Sequence, residues 1–434
     1  MKGTETRRKI GLLGAVSIGV GGMVGGGIFA VLGEAVSFAH GATMVAFLLS
    51  GVVALMTAYS YAKLSVSYQT RGGTVAFVNH AFGFNLLSGS LNLLLWLSYL
   101  VTIALYAVAF SSYAATFFPE SSTTSLLKHL LISGAILLPA GINLISASLV
   151  SKSESFIVAA KLALLLVIIV SGFSFVDAER LSPVQWGTPL SIFVAGMIIF
   201  VAYEGFELIA NAAEDIKNPQ ANLPRAFFGS VILVIFLYVL IAVITVGTVP
   251  QSDLLQAKDY ALAVAARPAL GQAGFTMVTI AALLATFSAI NATIYGNARL
   301  SYELAREGEL PEELDWQKRN NPYVGVIVTT LLSLLLANSI DLTEIAIIGS
   351  ASFLLIFTII NLSALKLAAK ISARSGLALV STVISLLSLL TLLVHTYEDS
   401  PQALWVFLAF ILASVLFEWV YGKFFRGHFL SQPY

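Results

Sequence analysis

Twelve long apolar runs, separated by short polar segments, dominate the chain. A helix rises ~1.5 Å per residue and a bilayer core is ~30 Å thick, so an apolar run of about 18 residues predicts a membrane-spanning helix. The runs cover residues 10–37, 42–69, 83–116, 126–147, 154–175, 188–213, 224–249, 270–305, 322–338, 342–363, 377–396 and 401–421. This pattern predicts an all-α integral membrane protein with 12 transmembrane helices. Residues 251–268 are less apolar and predict an outer helix that either covers an entrance or is an ordinary amphipathic loop helix.

Composition narrows the class of protein further. Hydrophobic residues make up 58% of the 434 and charged residues only 11%, whereas soluble domains average about 45–50% and about 25%. With no cysteine and five scattered histidines, the chain offers no disulfide, no thiolate nucleophile and no metal-ligand spacing. The 23 Lys and Arg balance 23 Asp and Glu without a basic patch, which argues against a nucleic-acid partner. We therefore expect no metal and no cofactor.

The distribution of positive charge predicts the orientation. If the N-terminus is cytoplasmic, 18 of the 23 Lys and Arg lie at cytoplasmic ends of the runs and four in outer loops, and Lys161 lies inside the fifth run. This bias follows the positive-inside rule. The first run follows Arg7, Arg8 and Lys9 and suits an uncleaved first helix. We expect a multi-pass protein of the cell membrane with both termini in the cytoplasm.

The first run is interrupted by the glycine-rich segment GVGGMVGGGIF, residues 19–29. Each glycine weakens a helix by ~1 kcal/mol relative to alanine. Unwound backbone is tolerated at membrane depth only where it is buried in protein or lines a watery cavity. Free N–H groups at the start of the outer half-helix form an anion site. The alternative is close helix packing through small residues; the consecutive Gly25, Gly26 and Gly27 favour unwinding.

The sixth run carries a second interruption, FVAYEGFE, residues 200–207, in which Glu204 and Glu207 flank Gly205. Carboxylates in a membrane span normally face a cavity, and carbonyls freed at a break can bind a cation or an ammonium group. Breaks in helices one and six indicate two inverted five-helix repeats with a binding site between them. We predict the repeats at 1–175 and 188–363, with helices 11 and 12 at 377–421, within a single membrane domain.

Three segments resemble one known family. GVGGMVGGGIF resembles the first-helix signature of the amino acid–polyamine–organocation (APC) superfamily, and residues 200–226 are similar to its sixth-helix and following-loop signature. RLSYELAREGELP, residues 299–311, resembles the cytoplasmic end of its eighth helix. The likeness extends to prokaryotic, sodium-independent, proton-coupled amino acid transporters, which carry a lysine in the fifth helix. The resemblance implies the APC fold, with broken helices 1 and 6 and two extra C-terminal helices.

The resemblance also implies a substrate site. Members bind the substrate carboxylate on first-helix amides and the ammonium on sixth-helix carbonyls, and the breaks themselves suggest the same polarity. The matching carboxylate site is Val24, Gly25, Gly26 and Gly27, and the matching ammonium site is Phe200, Val201 and Tyr203. Side-chain selectivity would come from Ile28, Tyr203 and Phe206, and, by helix position only, from Tyr99 and Asn291.

Lys161 lies seven residues past Glu154, roughly 10 Å inside its helix. Sodium-coupled relatives of this fold hold a cation between the first, fifth and eighth helices. The resemblance therefore implies that Lys161 replaces the ion, donates to carbonyls near Gly21 and is assisted by Thr286 or Ser288. Protonation would then tie helices one and five together, with the proton as coupling ion. The alternative is a lysine that snorkels to the interface.

The sequence leaves the roles of two carboxylates, Glu204 and Glu207, undecided. Glu207 lies where the family commonly has an acidic residue and is either a gating carboxylate or a structural hydrogen-bonding group. Glu204 departs from the family pattern, where an apolar residue is common; it favours cationic or small polar substrates if it faces the pocket, and is structural if it faces a helix. Asn92, Asn143 and Asn361 are typical of interhelical hydrogen-bonding groups.

These observations predict a secondary active transporter, a proton-coupled symporter of neutral, broad-range L-amino acids that works by alternating access. The alternatives are an amino acid exchanger and a non-transporting amino-acid sensor. The sequence has no enzyme motif such as HExxH or a Walker loop. We expect an amino acid substrate and membrane lipid as the partners, and a monomer sufficient for activity.

Overall fold

The computed structural model describes residues 9–70, 72–145, 147–317 and 322–425, and its regular elements are helices, apart from two isolated β-bridges. Seventeen α-helices follow one another along these ranges. They are α1 (Leu12–Met23), α2 (Gly27–Ala39), α3 (Thr43–Ser67), α4 (Gly73–Phe82), α5 (Leu86–Ala115), α6 (Ser125–Ile145), α7 (Ala147–Gly172), α8 (Pro189–Ile198), α9 (Leu208–Asn211), α10 (Pro219–Thr248), α11 (Gln251–Gln256), α12 (Ala261–Ala265), α13 (Arg267–Arg306), α14 (Tyr323–Ser339), α15 (Leu342–Lys366), α16 (Ser375–Asp399) and α17 (Pro401–Val420).

The all-α membrane fold is confirmed. Within the described ranges, ten spans are long and apolar enough to cross a membrane, and α1 with α2 forms an eleventh, bent by 50°. The sequence predicts a twelfth span at 322–338, where α14 has only 17 residues, or about 25 Å. Eleven spans and one shorter apolar helix therefore replace the predicted twelve full-length helices.

Burial separates the core helices from those that face lipid. The most apolar window is 83% buried in α5, 83% in α15 and 89% in the sixth span, Pro189–Asn211. The corresponding share is only 22–33% for α6, α7, α16 and α17. Apolar side chains are tolerated on a surface that lies in lipid, so the well-buried spans form the centre of the molecule.

Three short helices lie outside the spans. The expected outer helix at 251–268 is present as two pieces, α11 and α12, joined by a 3₁₀ turn at Lys258–Tyr260. Helix α4 was not anticipated from the sequence, because its ten residues are too few for a span. It starts at Gly73, whose φ of 47° favours glycine.

The two faces of the bundle can be named by the chain. The N-terminal segment pairs with the loop after the sixth span: Lys217 N–H donates to the Ile10 carbonyl oxygen at 2.8 Å. We call this side the N-terminal face and the side with α11 and α12 the opposite face. Arg7, Arg8 and several other cations of the charge-bias argument lie outside the described residues, so the cytoplasmic orientation stays a prediction.

Buried asparagines connect the spans, as the sequence indicates. Asn92 Nδ2 donates to Glu309 Oε2 at 2.9 Å, and Asn361 Nδ2 donates to Ser385 Oγ at 2.9 Å. Asn143 Nδ2 donates to Asn291 Oδ1 at 2.8 Å. The last contact joins α6 to α13 and settles the surroundings of Asn291, which matters for the site.

Candidate functional site

Both predicted breaks are present in the structure. The first span is interrupted at Val24–Gly26, between α1 and α2. The sixth leaves α-helical geometry after Ile198, passes through a 3₁₀ turn at Ile199–Tyr203 and resumes at Leu208. Glycines bring the breaks into direct contact: a Cβ at Gly22 would lie 2.6 Å from the Gly205 carbonyl oxygen.

The backbone groups of the sixth-span break are satisfied by side chains from its neighbours. Ser350 Oγ accepts from the Val201 N–H at 2.9 Å and donates to the Ile198 carbonyl oxygen at 2.6 Å. Tyr238 OH donates to the Met23 carbonyl oxygen at 2.7 Å and is 3.2 Å from that of Ala202. Since an unpaired backbone group at membrane depth costs several kcal/mol, these contacts stabilise the break.

Glu207 belongs to the same supporting network. Its Oε2 accepts from the Gly205 N–H at 2.8 Å, and its Oε1 accepts from Tyr99 OH at 3.3 Å. With one oxygen on the backbone of the break and the other on α5, Glu207 has the contacts expected of a group that holds the break in place.

A cavity of about 110 Å³ lies beside the two breaks. It is bounded by the end of α1, by α4, α5 and α7, by the sixth-span break and by α13. Its deep residues, Tyr99, Tyr106, Lys161 and Glu204, are buried, whereas Gly72 and Gly296 are exposed on the N-terminal side. The cavity therefore extends from the breaks towards the N-terminal face.

Lys161 lines this cavity and is 5% exposed. Its Nζ donates to the Gly21 carbonyl oxygen at 3.2 Å, which joins α7 to the end of α1 at the contact expected for it. A charge at this depth is costly unless it is paired with other groups, and a helix-end carbonyl is a suitable acceptor.

Two residues of α13 were predicted to assist Lys161. One of them, Ser288, lines the cavity. Thr286 does not: its hydroxyl donates to the Ala282 carbonyl oxygen of its own helix at 2.7 Å. Residues two apart on a helix point to different sides, so Ser288 and Thr286 cannot both face Lys161.

The predicted carboxylate site has three available amides. The N–H of Val24, the fourth predicted residue, donates to the Val20 carbonyl oxygen at 2.8 Å. The amides of Gly25, Gly26 and Gly27 donate to no residue that the structure describes. They lie outside the cavity lining, and the Tyr106 ring packs on Gly26, where a Cβ would lie 2.4 Å from Tyr106 Cδ1.

Several predicted selectivity residues do not line the cavity. Asn291 is on the other side of α13, held by Asn143. Tyr203 OH donates to the Phe47 carbonyl oxygen at 2.8 Å, and Phe206 packs among Tyr61, Phe227 and Phe357. Ile28, another predicted selectivity residue, does not line the cavity either. The same holds for Phe200 and Val201 of the predicted ammonium site. Tyr99 and Glu204 do line it.

Tyr106 is one of the lining residues that were not predicted from the sequence. It follows Tyr99 by seven residues, two helical turns, and Leu95 precedes Tyr99 by four. Residues with this spacing share one face of a helix, so the predicted position of Tyr99 contained the signal. Thr293 and Asn297 on α13 were missed as well.

On the opposite face, an ion pair joins the buried Glu34 of α2 to the partly exposed Lys258. Lys258 Nζ lies 2.9 Å from Glu34 Oε1, and the Glu34 side chain is 1% exposed. Thr343 Oγ1 donates to Glu34 Oε1 at 2.7 Å and accepts from Lys258 Nζ at 3.0 Å. These three residues, which we call the outer latch, connect α2, the α11–α12 segment and α15.

Comparison with known proteins identifies the family to which the chain belongs. The model of the amino acid permease family matches residues 10–421. The chain belongs to the amino acid permease family. The permease is 34% identical to an uncharacterized protein of Methanocaldococcus jannaschii, over 98% of each chain. It is 33% identical to an inner membrane transport protein of Escherichia coli, over 96% of this chain and 97% of the relative.

A mammalian relative carries a substrate class in its name. The large neutral amino acids transporter small subunit 2 of Rattus norvegicus is 30% identical over 81% of this chain and 68% of its own. Because the chain belongs to the amino acid permease family, it is a multi-pass membrane protein of amino acid transport.

Proposed function

We propose that the permease is a proton-coupled, sodium-independent symporter that imports neutral L-amino acids of broad range by alternating access. The observation that carries the proposal is the contact of Lys161 Nζ with the Gly21 carbonyl oxygen, inside the cavity that both broken spans border. A lysine amine there can tie α7 to α1 when protonated and release it when neutral. The proton takes the place that a metal cation would otherwise fill.

The amides of Gly25, Gly26 and Gly27 are the proposed carboxylate site. They open the first turn of α2, whose positive dipole end favours an anion. Because the Tyr106 ring packs on Gly26, substrate reaches these amides when that ring swings aside. The carbonyls of Phe200, Val201 and Tyr203 are the proposed partners of the substrate ammonium.

We further propose the cell membrane as location, with both termini in the cytoplasm, so that the cavity extends towards the cytoplasm. The charge bias supports this orientation, and the relative named an inner membrane transport protein supports the location. The five-plus-five inverted repeat is the symmetry by which the two faces would open in turn.

The deciding experiment is uptake of labelled amino acids into proteoliposomes at internal pH 7, with external pH stepped from 5 to 8 and no sodium. Symport predicts accumulation that rises as external pH falls and collapses with a protonophore. Flux only into vesicles preloaded with amino acid would establish exchange instead. Saturable binding without flux would establish a sensor.

Lys258→Met is expected to open the opposite face. The substitution leaves the buried Glu34 carboxylate without its cation, and a buried charge without a partner is strongly unfavourable. The permease contains no cysteine, so a Thr293→Cys protein carries a single thiol on the cavity wall. An impermeant thiol reagent added at the opposite face should label this cysteine about tenfold faster in the Lys258→Met background.

Lys128→Met, a substitution of an exposed lysine on the same face, is the matched control and should leave labelling unchanged. Equal labelling rates in the two backgrounds would show that the outer latch does not hold this face closed.

A further inference from the structure

Glu204 is the carboxylate that the supporting network does not use. It lines the cavity and is 4% exposed, and its Oε2 has no hydrogen-bond partner among the residues that the structure describes. Buried side-chain oxygens are nearly always paired. Because the Glu204 side chain lines the cavity, a ligand inside that cavity is a candidate source of the missing donor.

Glu207 provides an internal comparison three residues away. Both of its oxygens are engaged by the protein, one by the Gly205 N–H and one by Tyr99 OH. The hydroxyls of Tyr106 and Thr102 on α5 are hydrogen-bonding neighbours of the Glu204 carboxylate, whereas its Oε2 has no partner among the described residues. The two carboxylates share one break, but of the two only Glu204 lines the cavity.

The rest of the cavity limits the ligand to a compact one. The volume is about 110 Å³, and the wall contains small or neutral polar residues, among them Ala289, Ala292, Ser288 and Thr293. Glu204 is the carboxylate of this wall and Lys161 its cation. A large apolar side chain would bury Glu204 without giving it a donor.

We propose that Glu204 selects compact amino acids whose side chain carries a hydrogen-bond donor, a hydroxyl or an ammonium group, by accepting that donor on Oε2. The inference rests on the proposed function and narrows its substrate class from neutral amino acids of broad range. A site built to bond a polar group rejects the analogue that lacks it, because its own buried group is left unpaired. Serine is then preferred to alanine, and 2,3-diaminopropionate is accepted.

The test compares initial uptake of labelled serine, alanine and 2,3-diaminopropionate in proteoliposomes. The native permease is expected to prefer serine to alanine by roughly tenfold. Glu204→Leu removes the acceptor and should bring the serine-to-alanine ratio close to one. Glu204→Gln keeps an acceptor oxygen but loses the charge, so it should keep much of the serine preference and lose most of the 2,3-diaminopropionate uptake.

Glu312→Gln, in an exposed loop residue, is the charge-matched control and should keep the native ratios. A native serine-to-alanine ratio near one, or an equal loss of serine and alanine uptake in the Glu204 variants, would overturn the assignment. If the leucine variant does not fold, the test rests on the glutamine variant, which should keep serine uptake and lose 2,3-diaminopropionate uptake. Uptake of none of the three by the native permease would refute the proposed function itself, a result distinct from transport without selectivity.

Discussion

Lys161→Ala is expected to abolish proton-driven accumulation of substrate. The side chain is buried, lines the cavity and donates to the Gly21 carbonyl oxygen at 3.2 Å. Without the amine, no protonation event links α7 to α1. A gradient of two pH units supplies about 2.7 kcal/mol per proton, enough for up to about 100-fold accumulation. The alanine variant should instead reach an inside-to-outside ratio close to one.

Lys161→Arg separates the hydrogen bond from the proton. A guanidinium can still donate to a carbonyl but stays charged at every accessible pH, so this variant is also expected to lose accumulation. Lys370→Ala, at an exposed position, is the control and should accumulate substrate as the native permease does. Accumulation in the Lys161→Ala variant that still followed external pH would rule out this coupling role.

Gly205→Ala is expected to destroy transport by separating the two breaks. Gly205 has φ of 119°, where a side chain is strained by about 1–3 kcal/mol. Its added Cβ would also lie 2.4 Å from the Gly22 carbonyl carbon. Rigid backbone cannot yield as a flexible side chain can, so α1 and the sixth span must move apart. Uptake should fall at least 100-fold, and the melting temperature in detergent should drop.

Gly134→Ala is the matched control, because a Cβ there meets nothing within 4 Å. Inside α6 this substitution is expected to stabilise the helix by about 0.5–1 kcal/mol. Native uptake and an unshifted melting temperature in the Gly205→Ala protein would contradict the close approach of the breaks.

Local patterns predicted the membrane class and the positions of the breaks. Long apolar runs are typical of membrane spans. Three consecutive glycines at 25–27 destabilise a helix, which predicted the interruption of the first run. Glu204 and Glu207 indicated the second break, since carboxylates at membrane depth need a special environment. Lys161 and Gly21 were paired through resemblance to relatives, because their separation of 140 residues carries no local signal.

The sequence did not predict which residues of each break support the backbone and which line the cavity. Glu204 and Glu207 are alike in sequence context, yet Tyr99 and the Gly205 N–H engage one and leave the other facing the cavity. Asn291 does not line the cavity for the same reason, because its side chain is bound by Asn143 on a different helix. Tyr106 was missed because the face of α5 that borders the cavity depends on which helices pack against it.

The sequence by itself determined that this is an all-helical membrane protein with two interrupted spans and a lysine within its fifth apolar run, because hydrophobicity and glycine content act locally along the backbone. Only the tertiary structure decided that the breaks touch through Gly22 and Gly205, that Glu34 is paired with Lys258, and that Glu204 lines the cavity beside the breaks. Those outcomes depend on which helix packs beside which, and hence on contacts between residues far apart in the chain.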